Sequence, residues 1–259
     1  MPEQLLETAA TTPAPAPLLA SLVIPARNEV GNMAPLIADI ERMAEGFGAL
    51  EVIVVDDGST DGTEAELVRL MATRPWLRAL RHDRSGGQSA AIRTGARAAR
   101  GGVIVTMDGD GQNDPAFVPA LVRALTDGGP AVGLAQGQRV GRKDTRSKRY
   151  QSRIANAVRR AVLRDDTRDT GCGLKAIRRD LYLALPYFDA LHRFMPALVR
   201  REGYEVRLVD VLDRPRISGR SNYGIWDRMW VGLLDLAGVW WLIRRRTSPA
   251  VTEVLAHAG

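Results

Sequence analysis

GVIVTMDGDGQNDP, residues 102–115, decides how the rest of the chain is read. Its first half is an apolar, β-branched run of strand length that ends at Asp108. Its second half sets two carboxylates and an amide, Asp108, Asp110 and Gln112, at alternating positions separated by glycines. An extended backbone sends alternate side chains the same way, so these three can converge on one hard cation. The glycines let a bulky ligand approach the backbone. A calcium loop of EF-hand type does not fit, because its sixth position would be Asn113 rather than glycine and its twelfth Pro119 rather than glutamate. A plain capped turn before a helix opened by Pro115 leaves two acids behind a buried strand unexplained.

The same strand-then-acid pattern recurs upstream. SLVIP (21–25) precedes a helical spacing over Gly31–Gly46, and EVIVVDD (51–57) precedes a helix capped at Thr60 or Asp61 and running to about Thr73. LRALR (77–81) reads as a third strand, Gly87–Arg100 as an Ala-rich helix, and the helix after Pro115 closes at Gly128-Gly129. Strands alternating with helices predict an α/β fold, a doubly wound and mostly parallel sheet with helices on both faces. In such sheets ligands bind beyond the carboxyl ends of the strands. Those ends carry Pro25–Glu29, Asp56–Asp61 and Asp108–Gln112. After a further strand near Ala131–Gln138 the alternation breaks down. A basic helical stretch, the loop 166–175, a helix through His192–Arg201, a strand over 204–211, the loop 213–223 and a last helix over 224–243 complete the reading.

Composition narrows the function classes. In 259 residues there is one cysteine, Cys172, which excludes an internal disulfide and a multi-cysteine zinc site. The net charge of +6 is smaller than the +8 carried by Arg139–Arg160 alone, where nine Lys/Arg face the single acid Asp144. Apart from a solvated helix face, such a segment suits an anionic ligand or an anionic membrane surface. A nucleic-acid-binding module would account for the basic charge but not for paired acids at strand ends, which repel phosphate unless a metal intervenes. No GxGxxG follows the first or second strand and no GxSxG occurs, so neither a dinucleotide site nor a Ser-His-Asp hydrolase is supported. Residues 1–20 read as a disordered leader and make a poor signal peptide, which predicts a cytoplasmic chain.

IPARNE (24–29), VVDDGSTDGT (54–63), RSGGQSAAIRTG (84–95) and MDGDGQNDP (107–115) resemble successive motifs of the family 2 glycosyltransferases, whose nucleotide-sugar-binding fold is called GT-A. GQR (137–139), DTGCGLKAIRRD (169–180), HRFMPALVRREG (192–203) and RPRISGRSNYG (214–224) are similar to the polyprenyl-phosphate branch, which includes dolichol-phosphate mannosyltransferases. The resemblance covers about residues 21–243. It implies an inverting transfer of a sugar from a nucleoside-diphosphate sugar to a polyprenyl phosphate, at the inner face of the cytoplasmic membrane. Pro25, Arg27 and Glu29 would then border the nucleotide, Asp57 would read the base, and Gly87 and Gln88 would sit near the ribose and diphosphate. Asp108, Asp110 and Gln112 would hold Mg²⁺ or Mn²⁺. Arg216 and Ser221 match the loop that closes over the diphosphate, where the family's usual lysine is replaced by Asn222. Arg139, with Arg149 or Arg153, would take the lipid phosphate, and Asp108, Asp110 and Arg139 would carry catalysis.

The last helix carries Trp226, Trp230, Trp240 and Trp241 and ends at Arg244-Arg245-Arg246. Tryptophan with terminal arginines fits a membrane interface, and equally an amphipathic helix docked on the core. The organisation expected is thus a leader (1–20), a catalytic domain (21–223), an amphipathic, interfacial helix (224–246) and a tail (247–259). The partners expected are the nucleotide sugar, the polyprenyl phosphate, a membrane surface, and a second copy of the chain or a membrane protein, with nucleic acid excluded. A soluble acceptor and a non-catalytic scaffold for a membrane-embedded partner are the competing functions.

Overall fold

The computed structural model describes residues 20–140, 157–214 and 225–247. In chain order the elements are β1 (Ala20–Ala26), α1 (Met33–Ala44), β2 (Leu50–Asp56), α2 (Thr63–Met71), β3 (Leu77–Arg81), α3 (Gln88–Ala98) and β4 (Val103–Thr106). A 3-10 turn (Pro115–Phe117) leads into α4 (Val118–Thr126) and β5 (Val132–Val140). Helical residues 157–163 (α5) are followed by β6 (Lys175–Arg178), α6 (Arg179–Ala184), α7 (Leu191–Arg201), β7 (Glu205–Leu212) and α8 (Ile225–Arg244).

One seven-stranded sheet runs in the order β3-β2-β1-β4-β6-β5-β7. β1 to β4 pair in parallel, as the alternation of strand and helix predicts. The exception is β6, which the sequence reading left unassigned and which lies antiparallel to both β4 and β5. Only four residues long and opened by a lysine, it carries no strand signature of its own; two established neighbours impose the pairing. β5 and β7 return to parallel at the edge.

Side-chain alternation divides the core into two layers. Leu22, Ile24, Val52, Val54, Val103 and Val105 face α1, α2 and α4, whereas Val23, Ile53, Val55 and Ile104 face α3, α6 and α7. Both faces of the central strands are therefore covered, which is why these segments read as continuous apolar runs. Gly95 lets α3 lie close on β1, since a Cβ there would stand 2.4 Å from Val23 Cγ1.

Because β2 and β3 lie on one side of β1 and β4 on the other, the chain reverses its winding between β1 and β4. That crevice is where an open α/β sheet exposes strand ends to a ligand. The Asp108 loop fills its rim: a Cβ on Gly109 would lie 2.9 Å from the Pro25 carbonyl. α7 runs back towards the start of β7, whose Glu205 pairs with Val132 at the beginning of β5. The first turn of α7 is thereby on the same side of the sheet as the carboxyl ends of β1, β2 and β4.

α8 docks on α7 and the second core layer. Val239 is buried, Leu236, Leu242 and Ile243 pack beside it, Arg201 Nε donates to the Leu242 carbonyl (3.0 Å), and Arg246 pairs with Glu202 (3.3 Å). Its other face leaves Leu233, Leu234, Trp240 and Trp241 exposed, with the Arg244 and Arg245 guanidiniums 4.5 and 5.9 Å above the two indole rings. The side chains of Trp226 and Trp230 lie outside the described residues, as do the leader 1–19, Arg149, Arg153, Arg216, Ser221 and the tail from 248. Among the described residues no helix is long and apolar enough to cross a membrane.

Candidate active site

The loop after β2 is the brace for the loop after β1. Asn28 sits in the left-handed region (φ 56°); its N–H donates to Ser59 Oγ (2.9 Å) and its Oδ1 accepts from Thr60 N–H (2.8 Å). Glu29 N–H donates to Thr63 Oγ1 (3.0 Å), Val30 N–H to Asp61 Oδ2 (3.2 Å), and Gly31 and Ala34 N–H to the two oxygens of Glu66 (2.7 and 2.9 Å). The N-cap of α2 is Gly62 rather than Thr60 or Asp61; Asp61 instead bridges the two loops, accepting also from Thr63 N–H (2.9 Å). Glu66, buried on α2, has no sequence signal, because its partners lie more than thirty residues away. The result is a rigid rim carrying Pro25 and Glu29 half-buried and Arg27 exposed.

Asp57 is buried and accepts four hydrogen bonds, from His82 Nδ1 (2.7 Å), Ser85 Oγ (2.6 Å), Gly86 N–H (2.8 Å) and Gly87 N–H (2.9 Å). Burial alone would raise its pKa; the bonds from Ser85, Gly86, His82 and Gly87 outweigh it and hold the carboxyl below its ordinary value. Both oxygens of Asp57 therefore serve the turn that opens α3. The Gly87 N–H is spent on Asp57 rather than turned to a diphosphate. Gln88, the first residue of α3, reaches the other way: its Nε2 donates to Asp108 Oδ1 (2.8 Å).

Asp108 is the electrostatic centre. Its N–H donates to Asn113 Oδ1 (2.9 Å), and Asp110 Oδ1 accepts from Gln112 N–H (3.1 Å), which closes the DGDGQ turn. Burial and then the charge of Asp110 push Asp108 up to about 6, against the opposing charges of Lys175 and Arg139. Lys175 is a buried ammonium on β6 that donates to the Cys172 carbonyl, and burial lowers its pKa. The antiparallel pairing of Thr106 with Lys175 puts it behind the Asp108 loop. Asp213, opposite Asn113 in an isolated bridge, adds a further negative charge that Asp108 feels. Neither Lys175 nor Asp213 was legible as a site residue. Gly173 is required here for space, because a Cβ would stand 2.4 Å from Asp108 Oδ2 and 2.5 Å from Asn113 Oδ1.

Arg139 ends β5 beside this cluster with its guanidinium already engaged. Nε and Nη2 fork onto Asp169 (2.6 and 2.9 Å), and Nη1 faces Asp213 (3.4 Å). Burial opposes its charge, but the Asp169 bonds raise its pKa further. Within the basic stretch, Arg159 turns inward and pairs with Asp165 (3.1 Å), with further bonds to Thr170 Oγ1 and the Thr167 carbonyl, so it braces the loop leading to Asp169. Arg214 joins Asp114 (2.8 Å) and Asp39, and its N–H donates to the Gln112 carbonyl (2.8 Å), which ties the chain entering residues 215–224 to the DGDGQ turn.

Two carboxylates close together at a strand end, one of them shifted upward by burial and then by the other's charge, suit a divalent cation that would offset both. The third donor in the pattern is the Gln112 amide. Among the described residues no set of three His, Cys, Asp or Glu side chains forms such a centre.

The glycosyl transferase family 2 profile matches residues 21–185, from β1 through α6. The chain belongs to that family. Within it the chain falls in the polyprenyl-phosphate sugar transferase branch. It is 34% identical over 237 residues to a dodecaprenyl-phosphate galacturonate synthase from Rhizobium johnstonii, covering 88% of this chain and 68% of the relative. It is 32% identical over 208 residues to an undecaprenyl-phosphate 4-deoxy-4-formamido-L-arabinose transferase from Edwardsiella ictaluri, covering 79% of this chain and 63% of that protein, less than two thirds of its length. In three dimensions it is similar to a glucosyl-3-phosphoglycerate synthase from Mycobacterium tuberculosis in complex with Mn²⁺, UDP-glucose and phosphoglyceric acid (TM-score 0.65, 22% identity, 87% of this chain and 80% of that one). It is also similar to a mannosyltransferase from Pyrobaculum calidifontis in complex with GDP-mannose and Mn²⁺ (TM-score 0.64, 23% identity, 91% and 68%). The fold is GT-A-like, as the family's motifs led one to expect.

The upward shift of Asp108 has a measurable consequence. A carboxyl whose folded pKa is raised stabilises the fold only below its unfolded value near 3.8, and that contribution is lost as pH rises through about 6. Asp108→Asn keeps the acceptor for Gln88 and removes the charge. In metal-free buffer the variant is expected to be more stable than wild type at pH 8, by on the order of 2 kcal/mol. Urea denaturation at pH 8 and pH 5 checks this: the gain must shrink at the lower pH, and a pH-independent difference would contradict the assignment.

Proposed function

We propose that this chain is a metal-dependent, inverting glycosyltransferase that moves a sugar from a nucleoside-diphosphate sugar to a polyprenyl phosphate at the inner face of the cytoplasmic membrane. The observation that carries the reading is the pairing of Asp108 and Asp110 at the winding reversal of the sheet, with Gln88 bonded to one of them. The named activity of the Rhizobium johnstonii relative supports the lipid-phosphate acceptor. Residues 21–223 form the catalytic unit in this reading.

Asp108, Asp110 and Gln112 would hold Mg²⁺ or Mn²⁺, which when bound supplies positive charge to the departing nucleoside diphosphate. Gln88 fixes the rotamer of Asp108, and Lys175 behind the loop limits the cost of keeping that carboxylate ionised. Pro25, Arg27 and Glu29 border the nucleotide on the braced rim. Asp57 serves the base by holding the 82–87 turn in shape. Arg216 and Ser221 would take the diphosphate, as the family resemblance implies. The acceptor is a phosphate monoester, largely dianionic at neutral pH because its second pKa is near ~6, so it attacks the anomeric carbon without a protein base. Arg139 orients it, and Asp169 and Asp213 fix the guanidinium plane in advance, which lowers the entropy lost on alignment.

Asp110→Asn removes a charged ligand while keeping size. With radiolabelled nucleotide sugars, polyprenyl phosphate and Mn²⁺, wild type is expected to label the lipid and the variant to lose about a hundredfold or more of turnover. Labelling of water-soluble acceptors alone, or turnover of the variant within a few-fold of wild type at limiting metal, would refute the reading.

The exposed face of α8 is the membrane-docking surface in this proposal. Leu233, Leu234, Trp240 and Trp241 would enter the headgroup region, and Arg244 and Arg245 each contribute on the order of 1 kcal/mol on anionic lipid. Flotation with anionic vesicles should be strong at low salt, weaken at high salt, and weaken again when Leu234, Trp240 and Trp241 are replaced by serine. Equal flotation of that variant would assign the face to another partner.

A further inference from the structure

His192 is the one described histidine in the first turn of α7, and the reaction scheme above gives it no task. Its Nδ1 lies 2.8 Å from Ser89 Oγ, and its backbone N–H donates to the same oxygen (3.4 Å). Ser89 follows Gln88, whose side chain holds Asp108, at the start of α3. The proximity of Lys175, whose charge acts on the ring, places it on the same side.

The proton arrangement follows from satisfying every group. Ser89 is buried, and its hydroxyl has no acceptor among the described residues other than His192 Nδ1. The hydroxyl proton therefore goes to Nδ1 while the oxygen accepts the backbone N–H. An Nδ1 that accepts leaves the ring proton on Nε2. Burial, with the charges of Lys175 and Arg193, pushes His192 down to about 3, so the ring is neutral at physiological pH. Nε2 has no hydrogen-bond partner among the described residues. What the fold builds is an N–H donor without charge, locked in one tautomer by Ser89.

We infer that His192 Nε2–H donates a hydrogen bond to a hydroxyl of the sugar carried by the nucleotide, and so helps set which sugar is accepted; the inference rests on the nucleotide-sugar reading above. In the reading above, the phosphates of donor and acceptor would be matched by Arg139 and by the cation that Asp108 and Asp110 would hold. A neutral donor beside them suits a neutral oxygen, and a site that donates to a specific hydroxyl rejects an analogue lacking it.

The test separates sugar from nucleotide. Binding of UDP, GDP, UDP-glucose, UDP-galacturonic acid and GDP-mannose is measured by calorimetry with Mn²⁺, and the sugar that most tightens binding over its bare nucleotide is taken forward. Asparagine's amide reaches only as far as Nδ1, and glutamine's reaches as far as Nε2. His192→Asn is expected to weaken the nucleotide sugar about tenfold and leave the bare nucleotide unchanged. His192→Gln is expected to stay within about threefold of wild type. Nitrogen-15 spectra of the free protein should show His192 as the neutral Nε2–H tautomer at pH 7. Equal nucleotide-sugar affinity in the asparagine variant, loss of bare-nucleotide affinity in both variants, or the Nδ1–H tautomer would each overturn the inference. If wild type binds none of the five compounds, the functional reading itself fails, and the inference falls with it.

Discussion

Two carboxylates held side by side in a poorly hydrated crevice repel each other, and much of the surrounding structure serves to keep them there. Asp108 follows a strand buried on both faces and cannot withdraw; Asp110 is fixed by the turn that Gln112 closes. The cost appears as the raised pKa of Asp108. Lys175 and Arg139 limit that cost without removing it, because each has carboxylates or carbonyls of its own to satisfy. Under the proposed function a divalent cation would relieve that repulsion. That is the physical link between this fold and nucleotide-sugar chemistry.

Preorganisation extends outward from this pair. The β2 loop and Glu66 hold the β1 loop through five backbone N–H donors from Asn28 to Ala34, so the rim has its shape before any ligand arrives. Asp57 does the same for the turn before α3, and Asp169 for Arg139. Electrostatic catalysis depends on groups that need not reorganise when charge develops, and these braces supply that property.

β1, β2 and β4 were readable because each is a largely apolar run with an acid at or within three residues of its carboxyl end. The Asp108–Gln112 and Asp56–Thr63 segments were recognisable for the same reason. β6 was not, since four residues beginning with lysine form a strand only when β4 and β5 offer edges on both sides. Lys175, Asp213, Glu66 and His192 were equally silent: each acquires its part from a partner about thirty to more than a hundred residues away. Hydrogen-bond partners were also hidden from the sequence: Asp57 bonds the 82–87 turn, and Arg159 lies buried within a basic segment read as suiting an anionic ligand or membrane surface.

The central claim is that the Asp108–Asp110 pair and a nucleoside diphosphate share one cation. Sharing makes the two affinities reciprocal, whatever the sugar and whatever the lipid. Manganese titration followed by electron paramagnetic resonance, at pH 7.5 with and without UDP or GDP, measures this coupling directly. The account predicts weak Mn²⁺ binding alone, tightened about tenfold or more by one of the nucleotides, with both binding and coupling abolished in a protein carrying Asp108→Asn and Asp110→Asn together. Manganese affinity unchanged by either nucleotide, or retained in the double variant, would contradict it.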